Sequence, residues 1–366
     1  MEQGIGELLY RLREEAGISQ GQLCKGVCSV PQLTRMEQNL LAPDPFQLDY
    51  LFRRMGKSTE LLEYVLSIEM YEIYELQYLI QTHICRRNLE EAESLLSQYE
   101  EKKHAKKTIH MQYILQERAQ IAWIRGEGVE EILPVLNQAI KQTMPLEGAV
   151  KSGMALGADE LRLLLFRWEV CRGTVYARKD EEIREILNYI HHKQIENAEL
   201  VRVYPYVVLL MGMICDWKKE KDPLLTLTRE ALSILRNEGR LLFMPDILEQ
   251  YEKLLETANG DAALIADLKT ERESLLTVEE EFQIHLEKYR LFQQWIRSFE
   301  LDCELVQNTR RASGIVQEDF CEGICSQETL SRIETAKRSP NNRNISGIRS
   351  PRFIMNVTKR RKRLRF

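Results

Sequence analysis

The sequence predicts an all-α protein, and three observations carry that expectation. Glycine (18) and proline (10) make up about 8% of the 366 residues, against roughly 12% in average chains, so tight turns are scarce and helices long. Apolar residues recur at helical spacing through most of the chain, and no stretch of β-branched alternation stands out as a strand. A hydrophobic fraction of 44% with 29% charged residues is ordinary for a soluble globular protein and too apolar for a disordered one.

Residues 1–60 read as a helix-turn-helix domain. Ile5, Leu8, Leu9 and Leu12 share one face of a first helix, which Gly17 stops. Ser19-Gln20-Gly21-Gln22 is a capping box that opens a short second helix with Leu23 inward. Gly26 allows a tight turn. Ser29-Val30-Pro31-Gln32 is another capping box, and Pro31 falls in the first turn, where no intrahelical N–H bond is lost. Leu33 and Met36 give the third helix its buried side. Helix, short turn and capped helix in sequence are the pattern of that motif. Pro43-Asp44-Pro45 breaks the chain, and Phe46, Leu48, Leu51, Phe52 and Met55 supply a fourth helix that closes the core.

Residues 61–297 repeat a different unit. The spacing predicts helices over 62–86 and 88–100, 107–125 and 129–143, 157–174 and 180–193, 196–218 and 223–238, then 243–258 and 261–297. Pair starts lie about 40 residues apart, longer than the roughly 34 of a regular tetratricopeptide repeat. Leu89-Glu90-Glu91-Ala92-Glu93-Ser94-Leu95-Leu96 has the leucine and small-residue spacing of the second helix of such hairpins. The expectation is an irregular tetratricopeptide-like α-solenoid with a concave face. Its longest apolar run, the 13 residues Val203–Cys215, contains Pro205. That falls short of the roughly 20 residues a membrane span needs and reads as a buried core helix. No apolar signal core opens the chain, so a cytoplasmic protein without a membrane partner is expected.

Residues 298–345 repeat the first module. Residues 17–43 and 314–340 align without gaps and are identical at 11 of 27 positions. The identities include Gly17/Gly314, Gln20/Gln317, Cys24/Cys321, Gly26/Gly323, Ser29/Ser326, Leu33/Leu330, Arg35/Arg332 and Glu37/Glu334. The second copy has Val316 in place of the capping Ser19, and nothing after Pro340 reads as a closing helix. It is therefore either a second reader or a degenerate remnant. Residues 346–366 form a basic tail: from Thr335 to Phe366 there are eleven Lys/Arg and no Asp/Glu, so the first 334 residues carry −16 and the last 32 carry +11.

The segment 5–56, and "GVCSVPQLTRME" in particular, resembles the XRE-type helix-turn-helix domain of the Rgg/PlcR-type regulators of Gram-positive bacteria. Those proteins couple it to a tetratricopeptide-like region that binds a short signalling peptide. The resemblance implies a sequence-specific regulator of transcription that binds double-stranded DNA and senses a peptide through unknown residues. By that resemblance the helix after Ser29 is the recognition helix, and Ser29 itself is a candidate DNA contact with it: Val30, Pro31 and Gln32, with Arg35 one turn on, would face the major groove. Gln20 would meet a phosphate, and Glu37 would tie helices together. The chemistry fits, since Arg bonds guanine bidentately, Gln bonds adenine, and an apolar side chain touches the thymine methyl. In the second copy Gln317, Gln327, Glu328, Arg332, Lys337 and Arg338 are the matching candidates. One departure is Gln38-Asn39-Leu40-Leu41, where the family has a glycine and basic residues. Residues 1–60 hold seven Lys/Arg against eight Asp/Glu. With so little charge for phosphates, a homodimer formed through the helical repeat is expected.

Other residues read more plainly. Cys24/Cys28 and Cys321/Cys325 could offer two zinc ligands each, but structural zinc needs four and none of the six histidines lies in either module. All eight cysteines are expected as reduced thiols, those in the modules as core. Trp123, Trp168, Trp217 and Trp295 are expected in the core, and His191-His192 at a solvated helix end. No phosphate-cradling glycine loop, nucleophile elbow or metal-binding helix motif is present, so neither an enzyme nor a cofactor is expected. A helical-repeat scaffold for a protein partner, with modules that no longer read DNA, is the competing expectation.

Overall fold

Four helices build the N-terminal module of the computed structural model, which describes residues 4–60, 62–293 and 299–340. They are α1 (Ile5–Glu15), α2 (Gln20–Cys24), α3 (Val30–Glu37) and α4 (Pro45–Arg54). Both capping boxes form: Ser19 and Gln22 close α2, Ser29 and Gln32 close α3, and Asp44 caps α4. Leu9, Leu23, Leu33, Met36, Leu51 and Phe52 are buried between them.

The helical repeat follows. Strand β1 (Tyr64–Leu66) precedes α5 (Ile68–Cys85), α6 (Leu89–Glu101), α7 (Thr108–Arg125), α8 (Val129–Thr143), α9 (Ala158–Cys171) and α10 (Glu181–His192). Then come α11 (Asn197–Leu200), α12 (Tyr204–Ile214), α13 (Lys221–Asn237), α14 (Met244–Thr257) and α15 (Ala262–Glu281). Successive helices pack on one another, α6 on α7, α7 on α8, α8 on α9, and α12 to α15 in turn. This nearest-neighbour packing is that of a tetratricopeptide-like solenoid. Among the described residues no helix is long and apolar enough to cross a membrane. The apolar run at 203–215 is the buried helix α12.

The chain ends its described course with β2 (Phe299–Leu301), α16 (Asp302–Ser313), α17 (Gln317–Cys321) and α18 (Gln327–Glu334). The strands are a feature that a helical reading missed. Parallel β1 and β2 pair Tyr64 with Phe299 and Leu66 with Leu301, too short to alternate visibly. Two helices also end early: 196–218 divides into α11 and α12, and 261–297 stops at Glu281. The basic tail 346–366, the region beyond Pro340 and Trp295 lie outside the described residues.

The chain divides into two compact units, residues 1–59 with 78–294 and residues 60–77 with 295–366. In the first, the N-terminal module is continuous with the helical repeat. In the second, β1, β2, α17 and α18 gather around α16.

Candidate nucleic-acid interface

The recognition geometry starts from a buried polar clamp. Arg13 on α1 donates from Nε to Glu37 Oε1 (2.6 Å) and from Nη1 to the carbonyl of Ile18 (2.9 Å). Gln20 on α2 donates from Nε2 to Glu37 Oε2 (2.7 Å) and accepts from Thr34 Oγ1 (3.2 Å). Glu37 therefore ties α1, α2 and α3 together, the structural role its position implied. Gln20 is committed at both ends of its amide inside the module. Ser29 and Gln32 serve the start of α3, with Gln32 Oε1 accepting from the Ser29 N–H (3.0 Å). Val30, Pro31, Gln32 and Arg35 are all exposed, Val30 by 42%. Among the described residues the Arg35 guanidinium has no ion-pair partner.

The same clamp recurs 297 positions on. Arg310 donates to Glu334 Oε1 (2.5 Å) and to the Ile315 carbonyl (3.2 Å), and Gln317 Nε2 donates to Glu334 Oε2 (2.8 Å). Gly17 and Gly314 (φ 64° and 65°), and Gly26 and Gly323 (φ 78° and 74°), make the same left-handed turns. Val306, Phe320, Cys321, Leu330 and Ile333 fill a core beneath them. α18 presents Gln327, Glu328 and Arg332, with Arg332 3.9 Å from Glu328, and Lys337 and Arg338 are exposed beyond it. Val316 leaves α17 without a side-chain cap, while Ser326 caps α18 through the Thr329 N–H (3.2 Å).

Two features escaped sequence reasoning. After α3, Asn39 takes the left-handed conformation (φ 57°), and its Oδ1 accepts from the Gly6 N–H (2.9 Å). Asparagine tolerates that region because its side chain can bond locally. Second, the module is welded to the helical repeat. Arg54, with no exposed surface, meets Glu160 with two hydrogen bonds (2.7 and 3.0 Å) and donates to the carbonyls of Leu23 and Lys25. Arg53 pairs with Asp159 (2.5 Å), which also accepts from Arg202 (2.8 Å). Burial alone would push Asp159 up; Arg202, Arg53 and Arg162 hold its carboxyl below the usual range. The Tyr50 hydroxyl donates to Gln112 Oε1 (2.6 Å) and lies 3.0 Å from the Thr143 hydroxyl, and the Ala155 N–H donates to the Gln22 carbonyl (3.1 Å).

The weld uses up cations. Of the seven Lys/Arg in residues 1–60, Arg13, Arg53 and Arg54 are buried in ion pairs, Lys57 pairs with Glu196 and Arg11 lies 3.7 Å from Glu15. Lys25 and Arg35 remain exposed without an ion-pair partner among the described residues. Cys24 is buried and Cys28 half-buried, and burial pushes the Cys28 thiol up to about 12.

By these features the chain is a helix-turn-helix protein built on a helical-repeat body. No protein-family profile matches it, and no curated protein matches it in sequence. Among solved structures it is similar to PlcR of Bacillus thuringiensis in complex with the peptide PapR7 and DNA, at 13% identity and a TM-score of 0.46, over 79% of this chain and 99% of that one. It is also similar to ComR from S. thermophilus, in its apo form (17% identity, TM-score 0.41, 76% of this chain and 95% of that one). The complex of ComR with DNA and its signalling peptide ComS matches as well (17%, 0.40, 78% and 97%).

Proposed function

We propose that this chain is a cytoplasmic, sequence-specific DNA-binding regulator of transcription of the XRE and Rgg/PlcR type, and not an enzyme. Its helical repeat dimerises it and senses a short peptide. The observation that carries the reading is the exposed set Val30, Pro31, Gln32 and Arg35 on the first turns of a capped helix, fixed by the Arg13–Glu37–Gln20 clamp. In this reading α3 enters the major groove and two chains read two half-sites. The second module contributes Gln327, Glu328, Arg332, Lys337 and Arg338 as a further DNA contact, with Gln317 held in its clamp.

Selection from random duplexes with the full chain, followed by titration of Arg35→Ala, tests it. Arg35 is exposed and supports no core group, so its loss should weaken the selected site by about 1–3 kcal/mol and relax one base position. Equal affinity for parent and variant would sink the assignment. Sedimentation of the full chain at tens of micromolar should show a dimer, and a strict monomer would remove the two-half-site arrangement. The scaffold reading draws on the two exposed unpaired cations of the N-terminal module. It predicts no selected sequence at all.

A further inference from the structure

Residues 284–293 form neither helix nor strand, yet side chains of the helical repeat hold their backbone closely. Gln120 grips it at both ends of its amide, donating from Nε2 to the Lys288 carbonyl (2.7 Å) and accepting from the Leu291 N–H (3.2 Å). Arg162, fully buried, donates to the carbonyls of Arg290 (2.5 Å) and Phe292 (2.8 Å). Gln81 accepts from the Gln293 N–H (3.2 Å), and the Cys85 carbonyl accepts from His285 N–H (2.8 Å).

The side chains of the segment are seated as well. Tyr289 is fully buried and donates from its hydroxyl to Glu117 Oε2 (2.6 Å). Arg290 makes two hydrogen bonds of 3.0 Å to the Glu169 carboxylate, and its guanidinium lies 5.8 and 5.7 Å from the rings of Tyr206 and Phe243. Leu291 is buried beside them.

Two physical points follow. A helix or strand satisfies its own backbone, whereas here the Leu291 and Gln293 N–H and the Lys288, Arg290 and Phe292 C=O groups are met by amide and guanidinium side chains of the helical repeat. Main-chain capture with pockets for alternate side chains is how a groove binds a peptide. Gln81, Gln120, Glu117 and Arg162 are also buried polar groups in the repeat, a costly choice where apolar residues would pack unless something bonds to them. Residues 284–293 bond to Gln81 Oε1, to both ends of the Gln120 amide, to Glu117 Oε2 and to the Arg162 guanidinium.

We propose that residues 284–293 are a tethered ligand, and that the groove they fill is a binding site for a short peptide carrying a cationic residue between aromatic and aliphatic neighbours. Such a peptide takes the Glu169–Tyr206–Phe243 seat and the Gln120 and Arg162 bonds by displacing the segment. The inference rests on the peptide-sensing reading above and names the chemistry of its ligand.

A fluorescent peptide of sequence HLEKYRLFQ, copied from residues 285–293, tests it by anisotropy on the full chain in the absence of DNA. The double variant Y289A/R290A should bind this peptide at least tenfold more tightly than the parent, because its competitor in cis is weakened. The same peptide with alanine at its arginine should bind at least tenfold more weakly. Equal binding to parent and variant, or none to either, overturns the proposal. If circular dichroism shows the variant unfolded, hydrogen exchange on the parent decides. Excess peptide should speed exchange of the Leu291 and Gln293 amides, the alanine peptide should not, and no change overturns the inference. DNA selection is measured separately, so failure here leaves the DNA reading standing and failure there leaves this one.

Discussion

A Cβ placed on Gly26 would meet the Thr143 carbonyl oxygen at 2.2 Å, while one on Gly323, the equivalent turn residue, would meet nothing within 4 Å. Both glycines are left-handed, so alanine at either carries about 1–2 kcal/mol of backbone strain. Gly26→Ala adds a clash that pushes the module off α8. The expectation is that urea unfolding shows a distinctly larger loss for Gly26→Ala than for Gly323→Ala; equal losses would refute the close approach. His110 gives a pH signature at the same scale. Its Nδ1 meets the Tyr99 hydroxyl (2.6 Å), and burial lowers its pKa to about 4. With a folded value below the unfolded one of about 6.5, the neutral ring is favoured in the fold. Stability from this group is complete above pH 6.5 and is lost as pH falls through 6.5 toward 4, by roughly 3 kcal/mol. His110→Gln should flatten that part of the stability profile, and an unchanged slope would rule His110 out. The capping serines and the helix-turn-helix glycines were legible in the sequence because caps and turns act within three or four residues. Arg13 and Arg310 were not, because they lie outside the aligned windows of the repeat, although their carboxylate partners are inside them.

Among elements, the contact of α4 with α9 decides how the N-terminal module is held. Arg53-Arg54 looks like the exposed basic end of a helix, as its residue types usually are. Its partners Asp159 and Glu160 lie 106 positions away, beyond any local pattern. Breaking a buried pair by removing one partner costs about 3–5 kcal/mol, since the other charge is left unmet. Arg54→Met should therefore destabilise strongly in thermal melts, and R54M/E160L should recover part of that loss but not all. The residue of the deficit comes from the Leu23 and Lys25 carbonyls, which also accept from Arg54. Full recovery by the double variant would show that those carbonyls contribute nothing. The end of α15 was illegible for another reason. Leu286, Tyr289 and Phe292 continue an i, i+3 apolar pattern past Glu281 without glycine or proline, and the helix is broken instead by left-handed Gln283 (φ 54°).

At the scale of the whole molecule, the proposed DNA binding would turn on where the charge is placed. The N-terminal module exposes few unpaired cations, whereas the last 32 residues carry +11. Each phosphate neutralised adds roughly 0.9 to the slope of log affinity against log salt. Deleting 346–366 should weaken binding to all sequences about equally and flatten that slope by several units, leaving base preference with Val30, Pro31, Gln32 and Arg35. Titrations at several salt concentrations check it: identical slopes would make the tail an inert ending, and a lost preference would assign base reading to the second module. The fold class and the duplicated modules were evident at this scale from periodicity and self-similarity alone. The two-unit division was not, because the pairing of residues 64–66 with 299–301 joins segments with no shared pattern.

The buried arginines of α4 have a mechanical consequence. A reader on a flexible tether can swivel to suit half-sites at several separations, but this one has no hinge where it meets its body. Its heading is inherited from α8 and α9, so under the proposed function the geometry of an operator would be written into the helical repeat and not into α3. Adding one base pair between half-sites turns them by about 35° relative to each other, given 10–10.5 pairs per turn. In the proposed dimer such a change is absorbed only by rearranging the dimer contact, which would make the spacer, as much as the bases, part of what the proposed regulator recognises.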